Sequence, residues 1–190
     1  MKKIVLYGSG GHCNSIIDVI ESKKNYQICK IFDDKIKKTK SKYSIEQSSG
    51  LKLEKIKNIH ISFASIYDLK KREKIFLKLK KEKFIFPIIK SKNCYISKNV
   101  KISDGSIVMH GAIINYGSKI ESNVIINSNS LIEHDVSVGF NSHISTSATI
   151  NGGVKIGKNC FIGSRSVIKE NIIISDNSFI KMGSIITKNI

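Results

Sequence analysis

Glu133, His134 and Asp135 are the three consecutive residues of this sequence best suited to proton transfer. They place an imidazole between two carboxylates. A carboxylate beside a histidine fixes the tautomer of the ring, raises its basicity and stabilises the imidazolium that forms when the ring takes up a proton. The pattern therefore predicts a general base at His134.

A repeat of six residues runs from Asn93 to Ile190 and determines where His134 lies. Sixteen consecutive positions at this spacing, from Ile96 to Ile186, hold Ile or Val, and a small or β-branched residue generally stands two positions earlier. This period fits neither a helix nor a simple strand. It predicts a hexapeptide β-helix of triangular section, with three hexads and so about eighteen residues per coil, and with the aliphatic side chains stacked inside.

The coil length places Gly152 beside His134, because the two are separated by one coil and stacked strands lie about 4.8 Å apart. Gly153 follows. A corner without side chains leaves room for a substrate and exposes backbone N–H groups that can hold a developing oxyanion. We therefore predict acyl transfer at this corner, rather than a surface histidine above an ordinary glycine turn. His143 lies half a coil away, so we expect that the two histidines do not share a site within one subunit; they could meet across a subunit interface.

The first ninety residues carry a second pattern, that of a nucleotide-binding unit. A strand over 3–7 leads into Gly8, Ser9, Gly10, Gly11 and His12. A helix over 13–23 and a strand over 26–32 follow, and the second strand ends at Asp33 and Asp34. Glycines at a helix N-terminus let backbone N–H groups approach a phosphate, and an acid after the second strand reaches a ribose or base. The alternatives are an ordinary tight turn and a His12 that merely caps the helix.

The remaining elements of this half are predicted from hydrophobic pattern and turn residues. Residues 35–50 are polar and predict a loop. A third strand is expected over 59–64, a basic helix over 67–83, and a short strand over 84–89 that contains Pro87, the only proline. We expect a boundary between domains at residues 90 and 91.

Composition narrows the function classes. The net charge is +17, with 32 Lys and Arg against 15 acidic residues. The lysines are spread along the whole chain without the aromatic and basic motifs of a nucleic-acid module, so no nucleic-acid partner is expected. The chain has no apolar run of membrane-spanning length and begins with a strand rather than a signal peptide. Cys13, Cys29, Cys94 and Cys160 show no framework spacing, which is typical of free thiols in a reducing cytoplasm.

The glycine turn, the Asp33-Asp34 pair, the hexads, Glu133-His134-Asp135 and Asn151-Gly152-Gly153-Val154 together resemble a family of sugar acetyltransferases. Its members join a small Rossmann-like domain to a left-handed parallel β-helix. They include the bacillosamine-pathway N-acetyltransferase, which acts on a UDP-linked 4-amino sugar, and sialic acid O-acetyltransferases. The resemblance covers nearly the whole chain. The segment Phe63-Ala64-Ser65 departs from the Ile-Gly-type turn usual in relatives.

The resemblance implies a cytoplasmic, acetyl-CoA-dependent homotrimer with active sites between neighbouring prisms. Residues 1–90 would bind a nucleotide sugar and residues 91–190 would bind acetyl-CoA and catalyse the transfer. By the same resemblance, His134 takes the proton from the acceptor and Asp135 orients it. The positions that match the nucleotide-sugar pocket are Gly8, Gly10, Gly11, His12, Asp33 and Asp34. Those that match the acetyl-CoA site are Asn127, His143, Gly152 and Gly153.

Three alternatives stay open at this point. Ser15-Ile16-Ile17-Asp18 and Ile144-Ser145-Thr146 also resemble sialic acid O-acetyltransferases, which would tolerate a degenerate nucleotide pocket. A non-catalytic solenoid scaffold would bind neither acetyl-CoA nor a nucleotide sugar. A zinc ion held by histidines between subunits is conceivable, but no spacing matches a strong metal motif, and we expect no metal.

Overall fold

The computed structural model describes residues 1–35, 41–64 and 66–190. Its N-terminal region is a four-stranded parallel sheet with two helices, and the rest is a parallel β-helix. The predicted α/β region followed by a β-helix is thereby confirmed. None of the helices in the described ranges is long and apolar enough to cross a membrane, and all four cysteines are free.

The N-terminal sheet places the glycine turn at its carboxyl edge. Its elements are β1 (Lys2–Tyr7), α1 (Gly11–Lys23), β2 (Tyr26–Asp33), β3 (Ile45–Gln47), β4 (Ile59–Ile61) and α2 (Leu69–Lys81). The strand order is β3-β2-β1-β4, all parallel. The turn after β1 and the end of β2 therefore lie together at the carboxyl edge, where open α/β sheets bind ligands.

Two sequence predictions in this region are wrong. In the polar stretch predicted as a loop, Ile45–Gln47 pairs with β2, and Ser48–Leu53 forms a 3₁₀ turn; residues 36–40 of that stretch lie outside the described ranges. The strand predicted over 84–89 does not form as such. Ile85 makes only an isolated bridge to Asn58, because Pro87 has no N–H to extend the pairing.

The helices differ from the predictions only at their ends. α1 begins at Gly11, so His12 stands in its first turn. α2 is shorter than predicted because Asp68 caps it: the Asp68 carboxylate accepts a hydrogen bond from the Lys71 N–H at 3.1 Å. An N-cap of this kind satisfies one of the free backbone donors of the first turn.

The coil repeats every eighteen residues, as the hexads predict. Lys119 pairs with Lys101 on one side and with Ser137 on the other, and Ile126 pairs with Val108 and Ile144. The inward Ile and Val residues form one continuous core together with the small residues two positions before them. The strands are β5 (Ile89–Lys90), β6 (Tyr95–Ile96), β7 (Lys101–Ile102), β8 (Ile107–Val108), β9 (Ile113–Ile114), β10 (Lys119–Ile120), β11 (Ile125–Ile126), β12 (Leu131–Ile132), β13 (Ser137–Val138), β14 (His143–Ile144), β15 (Thr149–Ile150), β16 (Lys155–Ile156), β17 (Phe161–Ile162), β18 (Val167–Ile168), β19 (Ile173–Ile174), β20 (Phe179–Ile180) and β21 (Ile185–Ile186).

The three faces of the prism differ in their outward residues. The covered face (β5, β8, β11, β14, β17, β20) lies mostly under the N-terminal region. The apolar face (β6, β9, β12, β15, β18, β21) carries Tyr95, Ile113, Leu131, Val167 and Ile185. The lysine face (β7, β10, β13, β16, β19) carries the exposed Lys101, Lys119 and Lys155.

The covered face and the N-terminal region share a core. Ile107 and Ile125 of the coil are buried in the same cluster as Leu6 of β1 and Ile16 of α1. Such a shared apolar core fixes the two parts of the chain against each other. The corner that carries His134 lies between the apolar and lysine faces, away from this contact.

Candidate active site

The His134 imidazole is oriented by Asp135. His134 Nδ1 lies 3.0 Å from Asp135 Oδ2, and both side chains are mostly exposed at the corner between β12 and β13. Asp135 adopts a left-handed backbone conformation (φ 59°), which turns the chain at the corner and which Asp tolerates better than most residues. When Nδ1–H donates to the carboxylate, Nε2 keeps its lone pair and can accept a proton.

Gly152 lies directly under the imidazole, as the coil length predicts. A Cβ at this position would come within 2.7 Å of His134 Cε1 and Nε2, so only glycine leaves the ring where it is. Gly153 donates its N–H to the His134 carbonyl at 3.0 Å. In the described part of the chain no acceptor takes the Gly152 N–H. This donor is therefore available beside Nε2.

Glu133 does not flank the imidazole as the sequence pattern suggests. Its carboxylate accepts a hydrogen bond from Asn115 Nδ2 at 3.1 Å, one coil away. Because adjacent corner residues point in different directions, only one of the two neighbouring acids contacts the ring. Asp135 is that acid.

The glycine turn and the end of β2 enclose a cavity of about 350 Å³, lined by Tyr7, Gly8, Ser9, Gly10, Asp33, Asp34, Lys35, Phe63 and Lys71. Gly8 has φ 106°, and a Cβ there would lie 2.8 Å from the Phe63 ring, so the turn requires glycine. Of the positions predicted for the nucleotide sugar, Gly8, Gly10, Asp33 and Asp34 line this cavity. Gly11 is exposed at the start of α1.

Both aspartates at this cavity are held by hydrogen bonds. Asp33 Oδ2 accepts from the Ser9 N–H and hydroxyl, each at 2.7 Å. Asp34 Oδ1 accepts from the Tyr7 hydroxyl at 2.6 Å and from the Ser48 hydroxyl at 2.7 Å. The bonds from Tyr7 and Ser48 lower the pKa of Asp34. The pKa of Asp33 is also lowered, because the bonds from Lys35 and Ser9 outweigh the effect of burial.

Sequence reasoning missed three of the residues that shape this cavity: Tyr7, Ser48 and Lys71. Phe63, the first residue of the segment that departs from relatives, also lines it. Tyr7 ends β1 immediately before the glycine turn, and that position marks it as a lining residue. Ser48 and Lys71 come from separate segments, and no local pattern places them there. Ser65 of the Phe63-Ala64-Ser65 segment lies outside the described residues.

His12, His143 and Asn127 form a separate group, away from His134. The rings of His12 and His143 have centroids 6.3 Å apart, and Asn127 Nδ2 lies 3.2 Å from His143 Nε2. Burial and then the charge of Arg72 lower the pKa of His12 to about 4. Burial, followed by the charges of His12 and Arg72, lowers the pKa of His143. These histidines are therefore neutral near pH 7.

The predicted acetyl-CoA residues thus fall into two groups within one chain. Gly152 and Gly153 stack on His134 at the corner between the apolar and lysine faces. Asn127 and His143 lie beside His12 at the covered face. His134 and His143 are half a coil apart and do not share a site within one chain. In the described ranges, no three His, Cys, Asp or Glu side chains are arranged to hold a metal ion.

Two family profiles match this chain. Residues 3–79 match the PglD N-terminal domain, and residues 153–188 match the hexapeptide repeat of succinyl-transferase. The profiles coincide with the sheet region and with the last coils. They confirm the two parts of the resemblance drawn from the glycine turn and the hexads.

Solved structures share the whole fold. The acetyltransferase domain of PglB from Neisseria gonorrhoeae is 21% identical, with a TM-score of 0.92 over 100% of this chain and 93% of that one. A histidine variant of perosamine N-acetyltransferase from Caulobacter crescentus, in complex with CoA and GDP-perosamine, is 20% identical, with a TM-score of 0.93 over 100% and 90%. WeeI from Acinetobacter baumannii is 21% identical, with a TM-score of 0.64 over 100% and 93%.

Proposed function

Because the chain joins a PglD N-terminal domain to a hexapeptide β-helix, we propose that it is an acetyl-CoA-dependent N-acetyltransferase that acts on the amino group of a nucleotide-linked amino sugar. The observation that carries the proposal is the placement of the Asp135-oriented His134 ring over Gly152. The PglB domain has also been solved with acetyl coenzyme A, and the perosamine enzyme with CoA and GDP-perosamine, which supports both substrates.

In the proposed reaction the amine nitrogen of the sugar attacks the thioester carbonyl carbon. As it does so, His134 Nε2 takes a proton from that amine. The Gly152 N–H donates to the carbonyl oxygen as that oxygen gains negative charge, a role typical of a fixed backbone donor. The new N–C bond forms, the C–S bond breaks, and His134 returns the proton to the thiolate. Asp135 holds the ring in the tautomer that this exchange needs.

The N-terminal region would hold the nucleotide sugar. The turn at Gly8 and Gly10 leads into α1, and a helix N-terminus favours phosphate groups through its free N–H donors and its dipole. Lys71 lines the same cavity and adds positive charge. The fixed carboxylates of Asp33 and Asp34 close the other side, where they can accept from a base or a ribose.

A second copy of the chain would complete the site. His134 and the pair formed by Asn127 and His143 are on different sides of one prism, so a neighbouring prism must bring them together. The apolar face gives the contact: Ile113 is 39% exposed, Val167 38% and Ile185 75%. An exposed apolar stripe of this length marks an interaction surface. We assign it to the homotrimer interface.

This assignment predicts that Ile113→Glu dissociates the trimer, because a charge would be buried against an apolar partner face. Size-exclusion chromatography with light scattering should shift from three copies to one, and activity should fall with it. Ile173→Glu is the matched control, since Ile173 is 47% exposed but stands on the lysine face. Equal behaviour of the two variants would contradict the assignment.

The function is tested by thiol release from acetyl-CoA with purified protein and a panel of acceptors. We expect turnover with a UDP- or GDP-linked amino sugar and none with the corresponding hydroxy sugar. Turnover only with free or CMP-activated sialic acid would replace the proposal with O-acetylation. If no acceptor in the panel gave thiol release and CoA did not shift the melting temperature, the result would favour a non-catalytic scaffold.

A further inference from the structure

A second cavity lies beside the one at the glycine turn. It has a volume of about 320 Å³ and lies between the 3₁₀ turn (Ser48–Leu53) and α2. Its lining residues are Tyr7, Asp34, Ser48, Ser49, Leu51, Lys52, Ile75, Lys78, Leu79 and Glu82. Tyr7 and Asp34 also line the cavity at the glycine turn. The two cavities are therefore adjacent, and we call the one at the glycine turn the first compartment and this one the second compartment.

The boundary between the compartments is a hydrogen-bonded group around Asp34. The hydroxyls of Tyr7 and Ser48 donate to the same oxygen, Asp34 Oδ1, at 2.6 and 2.7 Å. Asp34 Oδ2 is therefore the oxygen that can accept from a ligand. Asp33 differs, because Ser9 donates twice to its Oδ2 and the Lys35 N–H donates to its Oδ1 at 2.9 Å. Asp33 thus holds the glycine turn, whereas Asp34 can bind a ligand that extends across the boundary.

The glycine turn determines which end of a nucleotide sugar faces this boundary, a step that rests on the proposed function. The diphosphate would lie at the turn. On one side the turn leads into His12, whose ring centroid lies 6.3 Å from that of His143, a residue that the resemblance assigns to the acetyl-CoA site. The sugar that receives the acetyl group must extend toward that side. The nucleoside then extends the other way, past Asp34 and toward the second compartment.

One face of α2 runs along both compartments. Lys71 lines the first compartment, and Ile75 and Lys78 line the second. Residues at this spacing share a helix face. Lys71 and Lys78 are seven residues apart and so about 10 Å apart along the helix axis. A nucleoside 5′-diphosphate has a similar reach from its phosphates to its base, so one such molecule can occupy both compartments.

We propose that the second compartment binds the base of the nucleotide sugar, and that Asp34 accepts a hydrogen bond from a ribose hydroxyl at the boundary. Ligand sites combine apolar walls with a few polar groups that fix orientation. Leu51 of the 3₁₀ turn and Ile75 of α2 supply apolar surface from two sides of the compartment, which suits a flat ring. Lys52 and Glu82 supply a donor and an acceptor for the polar edge of the base.

The direct test is a crystal structure of the full wild-type chain with UDP or GDP, which requires no acetyl transfer. The base should lie between the 3₁₀ turn and α2, with a ribose hydroxyl within hydrogen-bond distance of Asp34 Oδ2. A base on the Phe63 side of Asp34, in the first compartment, would overturn this proposal and leave the proposed function intact. If the chain bound neither nucleotide, the proposed function would fail together with this proposal.

Ser49→Trp tests the same site in solution. Ser49 is exposed and lines the second compartment, so an indole there should occupy the space of the base without disturbing the core. Isothermal titration should show that the variant binds the nucleotide about tenfold more weakly than the wild type, because the base loses its apolar contacts. Ser44→Trp is the matched control, since Ser44 is also exposed but lines neither compartment. Wild-type affinity in Ser49→Trp, or an equal loss in both variants, would overturn the proposal.

Discussion

His134→Ala should lower kcat for acetyl transfer to the nucleotide amino sugar by about 10²–10⁴-fold, the range typical of a lost general acid–base group. The substitution removes the Nε2 lone pair that lies over Gly152 and leaves the corner backbone intact, since Asp135 keeps its own turn conformation. KM for both substrates should change little, because the imidazole contributes to the transition state rather than to ground-state binding. Initial rates of thiol release, at saturating acetyl-CoA and varied acceptor, measure both constants.

His110→Ala is the matched control for this variant. His110 occupies the same hexad position on another corner and also has an acid partner, since its Nε2 lies 2.9 Å from Asp18 Oδ2. It is remote from Gly152 and has no place in the proposed reaction. If His134→Ala kept wild-type turnover, or if both variants lost activity equally with the oligomer intact, His134 would not be the base.

The hexad register made the β-helix and the His134 corner predictable. Every sixth residue must enter a narrow core, so one slip would bury a polar side chain, and the sixteen steps carry none. The same register fixes eighteen residues per coil. Because Gly152 follows His134 by one coil, the sequence alone places Gly152 under His134. In a solenoid, residues that are one coil apart in sequence are neighbours in space, so the repeat length alone predicts these contacts.

The N-terminal region was harder to predict because its contacts follow no period. Ile45–Gln47 is a three-residue edge strand with one apolar residue, and nothing in its sequence separates it from a loop. The burial of Arg72 depends on α2 and the coil corners at Asn123 and Asn141, which meet only in the folded chain. The charged side chains of a basic helix are expected to face solvent, whereas Arg72 of α2 is fully buried.

The buried histidines should make the free energy of unfolding depend on pH. This effect should be larger than the contribution of any single surface contact. Burial, the charge of Arg72 and that of His12 lower the pKa of His60 to about 3, and the pKa values of His12 and His143 are lowered as well. An unfolded chain binds protons at these side chains near pH 6.5. Folding therefore excludes protons that the unfolded state takes up below that pH.

The free energy of unfolding should be nearly constant between about pH 7 and 8 and should fall steeply as the pH drops below about 6.5. Each histidine that is protonated only on unfolding adds about 1.4 kcal/mol per pH unit to the slope, until its folded pKa is reached. Carboxylates with lowered pKa values, such as Asp33 and Asp34, add to the loss only at lower pH. Urea unfolding between pH 7.5 and 5, at constant chloride, gives the slope.

His60→Leu isolates one of these protons. Both ring nitrogens of His60 lack partners in the described structure, so leucine removes no hydrogen bond and keeps a similar volume. We expect the variant to be at least as stable as the wild type at pH 7.5 and its slope between pH 6 and 5 to be smaller by about one proton. An unchanged slope would mean that His60 is protonated in the folded chain.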